Sequence, residues 1–373
     1  MDPKNMKTQK FATSLLKVNL RKTMKEQNDA DLVLTHEVIA SKARNSNFIF
    51  SPASINAAYT MMAAGTGSSS DELNAVHNEI ATVVLADGSA RGGPKISAIN
   101  GVWVEKSRPG NHSLKDIMEK NFKATFALVD FRFKAEQVRG EVNKWASDQT
   151  DGLITDLLPP GSVTEETIQV YGNALYFKGA WEKKFDKFST KEDEFHLLNG
   201  SSVTVPFMSS GKSHYVKAYN GFKVLRLPYK QGDDKNRDFS MYLYLPDKRD
   251  GLNNLVVKMA STPGFVDDHI PRVQVEVGAF RIPKFNISFM FEVLLASTGL
   301  YPKPSMYHKA CVEIDEEGAV ASAATAVLRK LSLCIRTKID FVADHPFLFL
   351  IREDKTGTIL FAGQIFDPSK NSS

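Results

Sequence analysis

The residues able to do chemistry are present, but not in combinations that catalyse. Eight histidines are scattered along the 373-residue chain. None stands in an HExxH motif, where two imidazoles one helical turn apart and a glutamate would share a zinc ion. Neither Cys311 nor Cys334 belongs to a CxxC pair or a Cys/His ligand spacing. "GTGSSSDE" at 65–72 has the glycines of a phosphate cradle without the lysine that would reach the phosphates, so it reads as a loop leading into a capped helix. No GxSxG elbow offers a nucleophile. Asp267 and Asp268 read as a solvated turn, because paired carboxylates do acid–base work only where a pocket raises one pKa. His308 in "MYHKA" and His345 in "ADHPF" lie in strand-like segments and read as hydrogen-bonded core residues. The expectation is a protein that is not an enzyme and carries no metal or cofactor.

One stretch stands apart, "EIDEEGAVASAATAVLRKLSLCIRTKID" at 313–340. Three acids and Gly318 precede eight residues, 319–326, that are all small apart from Val320, and a basic, apolar tip follows. Alanine is the best helix former, and Val320, Val327, Leu328 and Leu331 recur at nearly helical intervals, so a helix explains the composition. Yet the stretch lies between two strand-like segments and lacks the charged face of a surface helix. The competing reading is an exposed loop that must at times become a strand within a sheet. A strand entering between two others slides past covered faces, where alternate Ala319, Ala321, Ala323 and Thr325 pass and bulky or charged residues would not.

The elements around it come in two blocks. Phe11 to Lys25, "DLVLTHEVIASKA", "FIFSPASINAAYTMMAAG", a segment after Asp71 and "KAEQVRGEVNKWASDQT" read as helices. From about residue 167, strand-like runs rich in Val, Phe, Tyr and Ile follow, interrupted by helices near 251–260 and 288–298. Helices first and strands later indicate an α+β fold. With 42% hydrophobic and 24% charged residues, no repeat and no linker, one domain over 1–373 is expected. A net charge of +4 spread along the chain gives no reason to expect a nucleic-acid or membrane partner. Two cysteines suggest a reducing compartment. The first 25 residues are basic like a transit peptide, but Phe11, Leu15, Leu16 and Leu20 at helical spacing read better as an ordinary first helix, and no continuous apolar core suggests a secretory signal.

Beyond these local readings, Glu316-Glu317-Gly318 and the small-residue run resemble the hinge of a serpin reactive-centre loop, and "FVADHPFLFLI" at 341–351 is similar to the signature that follows it. "FIFSPASI" (48–55), "NALYFKGAW" (173–181), "IPKF" (282–285) and "HKACVEIDEEG" (308–318) match the family pattern in the family's order. The resemblance covers essentially the whole chain and points to the plant serpin-Z branch. It implies helices packed on a large, mostly antiparallel main sheet with two further sheets and an exposed loop at about 318–340.

The function it implies is inhibition of a serine endopeptidase by a suicide route, with an Arg/Lys-directed papain-like cysteine protease as a further target class. The protease cleaves the loop, is held as an acyl-enzyme, and is trapped when the loop inserts as a new strand. By the same resemblance Glu317, Gly318, Ala319, Ala321 and Ala323 form the inserting hinge and arm. Ser51, Ser54, Asn173 and His308 form a polar shutter beneath the opening point, and Trp181 lies at the breach where insertion starts. The cleaved bond is placed at Leu331-Ser332, with Lys330, Leu333 and Arg329 as alternatives. The partner is the target protease, in a covalent complex with a monomer.

An alternative is a non-inhibitory serpin-fold module cleaved as a plain substrate. It rests on connections between Gly65 and Asp71 and between Leu300 and Ser305 that are shorter than the family pattern. Without a signal peptide, a cytoplasmic or nuclear location is expected, non-classical release remains open, and mitochondria are disfavoured.

Overall fold

A computed structural model describes residues 3–65, 76–107, 111–293, 305–318 and 338–370. The loop residues 319–337, and with them Ala319, Ala321, Ala323, Arg329, Lys330, Leu331, Ser332 and Leu333, lie outside the described residues, as do most of 65–71 and 300–305.

Three sheets carry the chain. The largest is wholly antiparallel and runs Phe48–Phe50 (β1), Ile359–Ile365 (β15), Phe347–Glu353 (β14), Phe239–Pro246 (β9), Phe222–Pro228 (β8), Tyr215–Tyr219 (β7). A four-stranded sheet runs Ile339–Val342 (β13), Val277–Pro283 (β10), Ser202–Ser209 (β6), Lys191–His196 (β5). The third, five-stranded, runs Phe285–Val293 (β11), Ser305–Ile314 (β12), Gln169–Lys178 (β4), Lys95–Glu105 (β2), Thr125–Val129 (β3). At its centre β12 and β4 are parallel neighbours, with antiparallel pairs on either side.

The helices of the described residues include Pro3–Lys42 (α1), Pro52–Gly65 (α2), Asn111–Phe122 (α3), Phe131–Gln149 (α4), Leu252–Ser261 (α5) and Phe265–Asp268 (α6). Pro52 opens α2, where its missing N–H costs nothing. Asp130 caps α4 by accepting the Phe133 N–H.

Both faces of the largest sheet are covered. In β14, Phe347, Phe349 and Ile351 enter one core while Leu348 and Leu350 enter another. The five-stranded sheet is layered similarly: Leu175 and Phe177 of β4 join the first core, and Val170, Ala174 and Tyr176 pack with Val138, Val142 and Ala146 of α4. This layering seats the β4–β12 seam between α4 and the main core.

Three sequence expectations change. The two helical segments before residue 43 are one continuous helix, α1. The first third is mainly helical, as expected, with β1 and β2 set between its helices. The expected helix at 288–298 is, as far as Val293, part of strand β11, because Phe285, Ile287, Phe289 and Phe291 alternate with Asn286, Ser288, Met290 and Glu292 in the two-residue period of a strand paired with β12. Asp267 is no free turn residue; it accepts from Arg352, a side chain only 5% exposed. Among the described residues no helix is long and apolar enough to cross a membrane.

Candidate functional site

The seam between β4 and β12 gathers the polar residues that apolar strands would otherwise exclude. In its register His308 lies opposite Asn173, and Asn100 of β2 lies opposite Asn173 on the other side. The His308 side chain is fully buried, with Nε2 accepting the Ser51 backbone N–H at 3.0 Å. That bond fixes the tautomer: Nδ1 carries the proton and donates to Asn173 Oδ1 at 2.8 Å. Asn173 Nδ2 in turn donates to Asn100 Oδ1 at 2.6 Å, and Asn100 Nδ2 to the Phe122 carbonyl at 3.4 Å. The chain of bonds is directional and electrically neutral, tying three strands to α2 and α3. Ser51 also caps α2, its Oγ accepting the Ser54 N–H at 3.1 Å, so Ser54 joins the cluster through its backbone. Burial pushes the His308 pKa from 6.5 down to about 3, so the imidazole is neutral across the physiological range.

At the end of β12 the character changes from neutral to ionic. Asp315 Oδ1 accepts the N–H groups of Glu317 and Gly318 at 2.9 and 2.8 Å, turning the chain over Trp181. The Trp181 indole donates to the Asp315 carbonyl at 2.8 Å, its N–H donates to the Glu317 carbonyl at 3.1 Å, and its ring stacks on Tyr229 at 4.5 Å. Gly318 has φ of 70°, and a Cβ there would lie 2.5 Å from the Trp181 nitrogen and 2.7 Å from the Gly179 carbonyl oxygen. Only glycine fits both the left-handed backbone and the space.

Glu316, 5% exposed, accepts from Thr190 Oγ1 at 2.8 Å and from Lys284 Nζ at 2.9 Å. Burial alone would raise its carboxyl, but those two donors outweigh it and hold the pKa below the usual range. Glu317 pairs with Lys187 at 2.7 Å on the surface, and that bond lowers its carboxyl.

Of the site residues read from sequence, the structure thus brings Ser51, Ser54, Asn173 and His308 into one cluster and Glu317, Gly318 and Trp181 into another. The core reading of His345 holds as well: its ring bonds Asp344 at 2.7 Å and the Pro246 carbonyl at 2.8 Å. Sequence reading missed Asn100, Asp315, Lys284, Thr190 and Lys187 as members of these clusters, and the bonds that Glu316 makes. A signal existed for Asn100, an amide in the middle of the apolar strand "KISAINGVWVE". For Thr190 and Lys187 none did, since they reach the cluster from a turn more than 120 residues away.

The arrangement has counterparts among known proteins. The sequence model of the family described as Serpin (serine protease inhibitor) matches residues 25–301 and 303–368. The Arabidopsis thaliana protein Serpin-Z2 is 55% identical over 390 aligned residues, covering 100% of this chain and 95% of that protein. A second Arabidopsis relative, named "Probable non-inhibitory serpin-Z5", is 56% identical, covering 95% of this chain and 87% of its own length. The solved structure of an Arabidopsis serpin in its native stressed conformation superposes with a TM-score of 0.86 at 45% identity, covering 94% of this chain and 99% of that one. Uncleaved ovalbumin, at 21% identity and a TM-score of 0.74, shares the fold.

Proposed function

Because this chain belongs to the serpin family, whose members are typically protease inhibitors, we propose that it inhibits a serine endopeptidase by suicide cleavage of residues 319–337 and insertion of the freed arm between β4 and β12. The observation that carries this reading is the seam itself. Two parallel strands lie side by side over eight register pairs, Ser305–Val312 against Val170–Phe177, and the segment Asp315–Gly318 leads out of one of them toward the bait.

The steps follow from that geometry. The protease nucleophile attacks the carbonyl of Leu331, an acyl bond forms, and the Leu331–Ser332 amide breaks with release of the Ser332 amine. The arm from Ala319 then enters antiparallel to both neighbours, replacing one parallel ladder by two antiparallel ones. The net gain is one ladder of about eight to twelve hydrogen bonds at ~1 kcal/mol each, on the order of 10 kcal/mol. That is comparable with the whole stability of the protease dragged along with the arm.

Entry requires two sets of bonds to yield. The His308–Asn173 bond spans the seam and must break for a strand to pass. Gly318 must leave its seat over Trp181, and Glu316 and Glu317 must release Lys284 and Lys187. These bonds are the barrier that keeps the uncleaved form loaded. Ala319, Ala321 and Ala323 supply inward positions small enough to enter. The chain acts as one domain over 1–373, as a monomer, in the cytoplasm or nucleus. Leu331 gives a chymotrypsin-like preference; Arg329 or Lys330 would direct a trypsin-like or papain-like enzyme, and Leu333 would follow a bond after Ser332.

A second reading is favoured by one observation, the name of the non-inhibitory relative at 56% identity. In that case the loop is cut as a plain substrate and nothing is trapped. Incubation with trypsin, chymotrypsin and papain, followed by denaturing electrophoresis and mass spectrometry, separates the two. A denaturant-stable complex of summed mass is expected, and its mass after hydrolysis identifies the bond. Clean cleavage with no complex and no gain in thermal stability would establish the second reading.

A further inference from the structure

The first half of α1 is distinguished by its charge. Between Asp2 and Glu26 the chain carries seven bases, Lys4, Lys7, Lys10, Lys17, Arg21, Lys22 and Lys25, and no acid. In linear order they look dispersed. Pro3–Lys42 is one unbroken helix, however, and at about 100° per residue all seven positions fall within an arc of roughly 140°. The opposite arc, which holds the positions of Ala12, Leu16 and Leu20, has none.

The two bases whose side chains are described, Lys22 and Lys25, are exposed, while Met24 between them is buried in the core. Lys22 has Glu26 at 3.7 Å on the same exposed surface, a weak pair that leaves it available. The family's sequence model begins at residue 25, so six of the seven bases lie before its first matched position.

We propose that this side of α1 binds the phosphate backbone of a double-stranded nucleic acid without reading its sequence. From Lys4 to Lys25 the stripe is about 32 Å long at 1.5 Å per residue, close to the ~34 Å of one duplex turn. Positions of bases along one side of a rod, with no acid between Asp2 and Glu26, match a line of phosphates in charge. An anionic membrane surface fits less well. A helix lying in that interface needs its apolar residues gathered on one face, whereas here Phe11 and Val18 stand within the basic arc and Thr8, Gln9, Thr13 and Asn19 interrupt the other. Composition alone gave no reason to expect a nucleic-acid partner; the unbroken helix is what aligns the charges. This activity is independent of whether the loop traps a protease.

The test is fluorescence anisotropy of the full chain with a labelled DNA duplex of about two helical turns, beside vesicles containing phosphatidylserine. Binding should be indifferent to duplex sequence and weaken about a thousandfold between 50 and 200 mM salt. A variant carrying Lys7→Gln, Lys10→Gln, Lys17→Gln and Arg21→Gln should lose most of it and lower the log–log salt slope by about one per base removed. The Lys→Arg version at the three lysines should retain it, and unchanged thermal melting would show both variants folded. The proposal is overturned if the glutamine variant binds as tightly as the parent, if vesicles are bound and duplex is not, or if the protein isolated from cells begins after residue 25.

Discussion

The β4–β12 seam is fastened at two places by opposite chemistry. In its middle, His308, Asn173 and Asn100 form a neutral, buried chain of hydrogen bonds with a fixed direction. At its end, Glu316 with Lys284 and Glu317 with Lys187 form ion pairs, one nearly buried and one open to water. The neutral buried chain is indifferent to salt but is broken when its histidine is charged, because Nε2 then carries a proton and cannot accept the Ser51 N–H, whereas an exposed ion pair is screened by salt and contributes little. The difference indicates that the middle sets the strength of the seam and the end sets the position of the chain leaving it.

Acid should break the middle with the largest effect. His308 has its pKa pushed to about 3 by burial, and burial pushes His77 and His214 to about 4, against the usual 6.5. A depressed histidine adds stability that is complete above about pH 6.5 and is lost as pH falls toward the folded value, because the unfolded chain takes the proton first. Asp31 opposes them: burial raises it to about 7, so near pH 5 the folded chain holds a proton there that the unfolded chain does not. Three protons against one leave a net of about two, so stability should fall by roughly 2 to 3 kcal/mol per pH unit near pH 5. Urea unfolding at pH 7, 6 and 5 reads this, and a flat series would remove the neutral joint as a determinant.

Replacing His308 tests the same joint at constant pH. His308→Ala strands the Ser51 N–H and the Asn173 carbonyl oxygen in the core and opens a cavity, for a loss of about 3 to 5 kcal/mol in denaturation. It should also reduce the acid sensitivity by about one proton.

At the end of the seam, Gly318→Ala places a Cβ against the Trp181 backbone in a left-handed conformation and should cost roughly 2 to 3 kcal/mol. Spontaneous opening of the hinge, read as faster proteolysis near Glu317, should accompany it.

Lys284→Met leaves Glu316 with Thr190 alone, for a smaller loss of about 1 to 2 kcal/mol in the same denaturation series. Lys187→Ala should leave the denaturation midpoint unchanged, because its pair with Glu317 stands in water. If Lys187→Ala proved as damaging as His308→Ala, the contrast between the two fastenings would collapse.

Much of the fold was legible because strongly patterned segments obey local rules: Pro52 opens α2, and the continuous apolar runs in β9 and β14 are strands covered on both faces. Legibility failed where a local pattern was ambiguous. "FNISFMFEV" alternates with a strand's period yet abuts a sequence rich in leucine and alanine that suggests a helix, and its pairing with β12 decides for the strand. At the site, His308 and Asn173 were recognisable through motif resemblance, whereas their bond was not, since 135 residues separate them.

By itself the sequence determined the class of the protein, the small-residue arm from Ala319 and the glycine at its root, because these depend on residue type and short-range order. Only the tertiary structure decided that β4 and β12 lie side by side and parallel. It alone decided which way the His308 proton points and that Glu316 is answered by Lys284 and Thr190. Each of those depends on through-space distance between chain segments, which spacing along the sequence does not record.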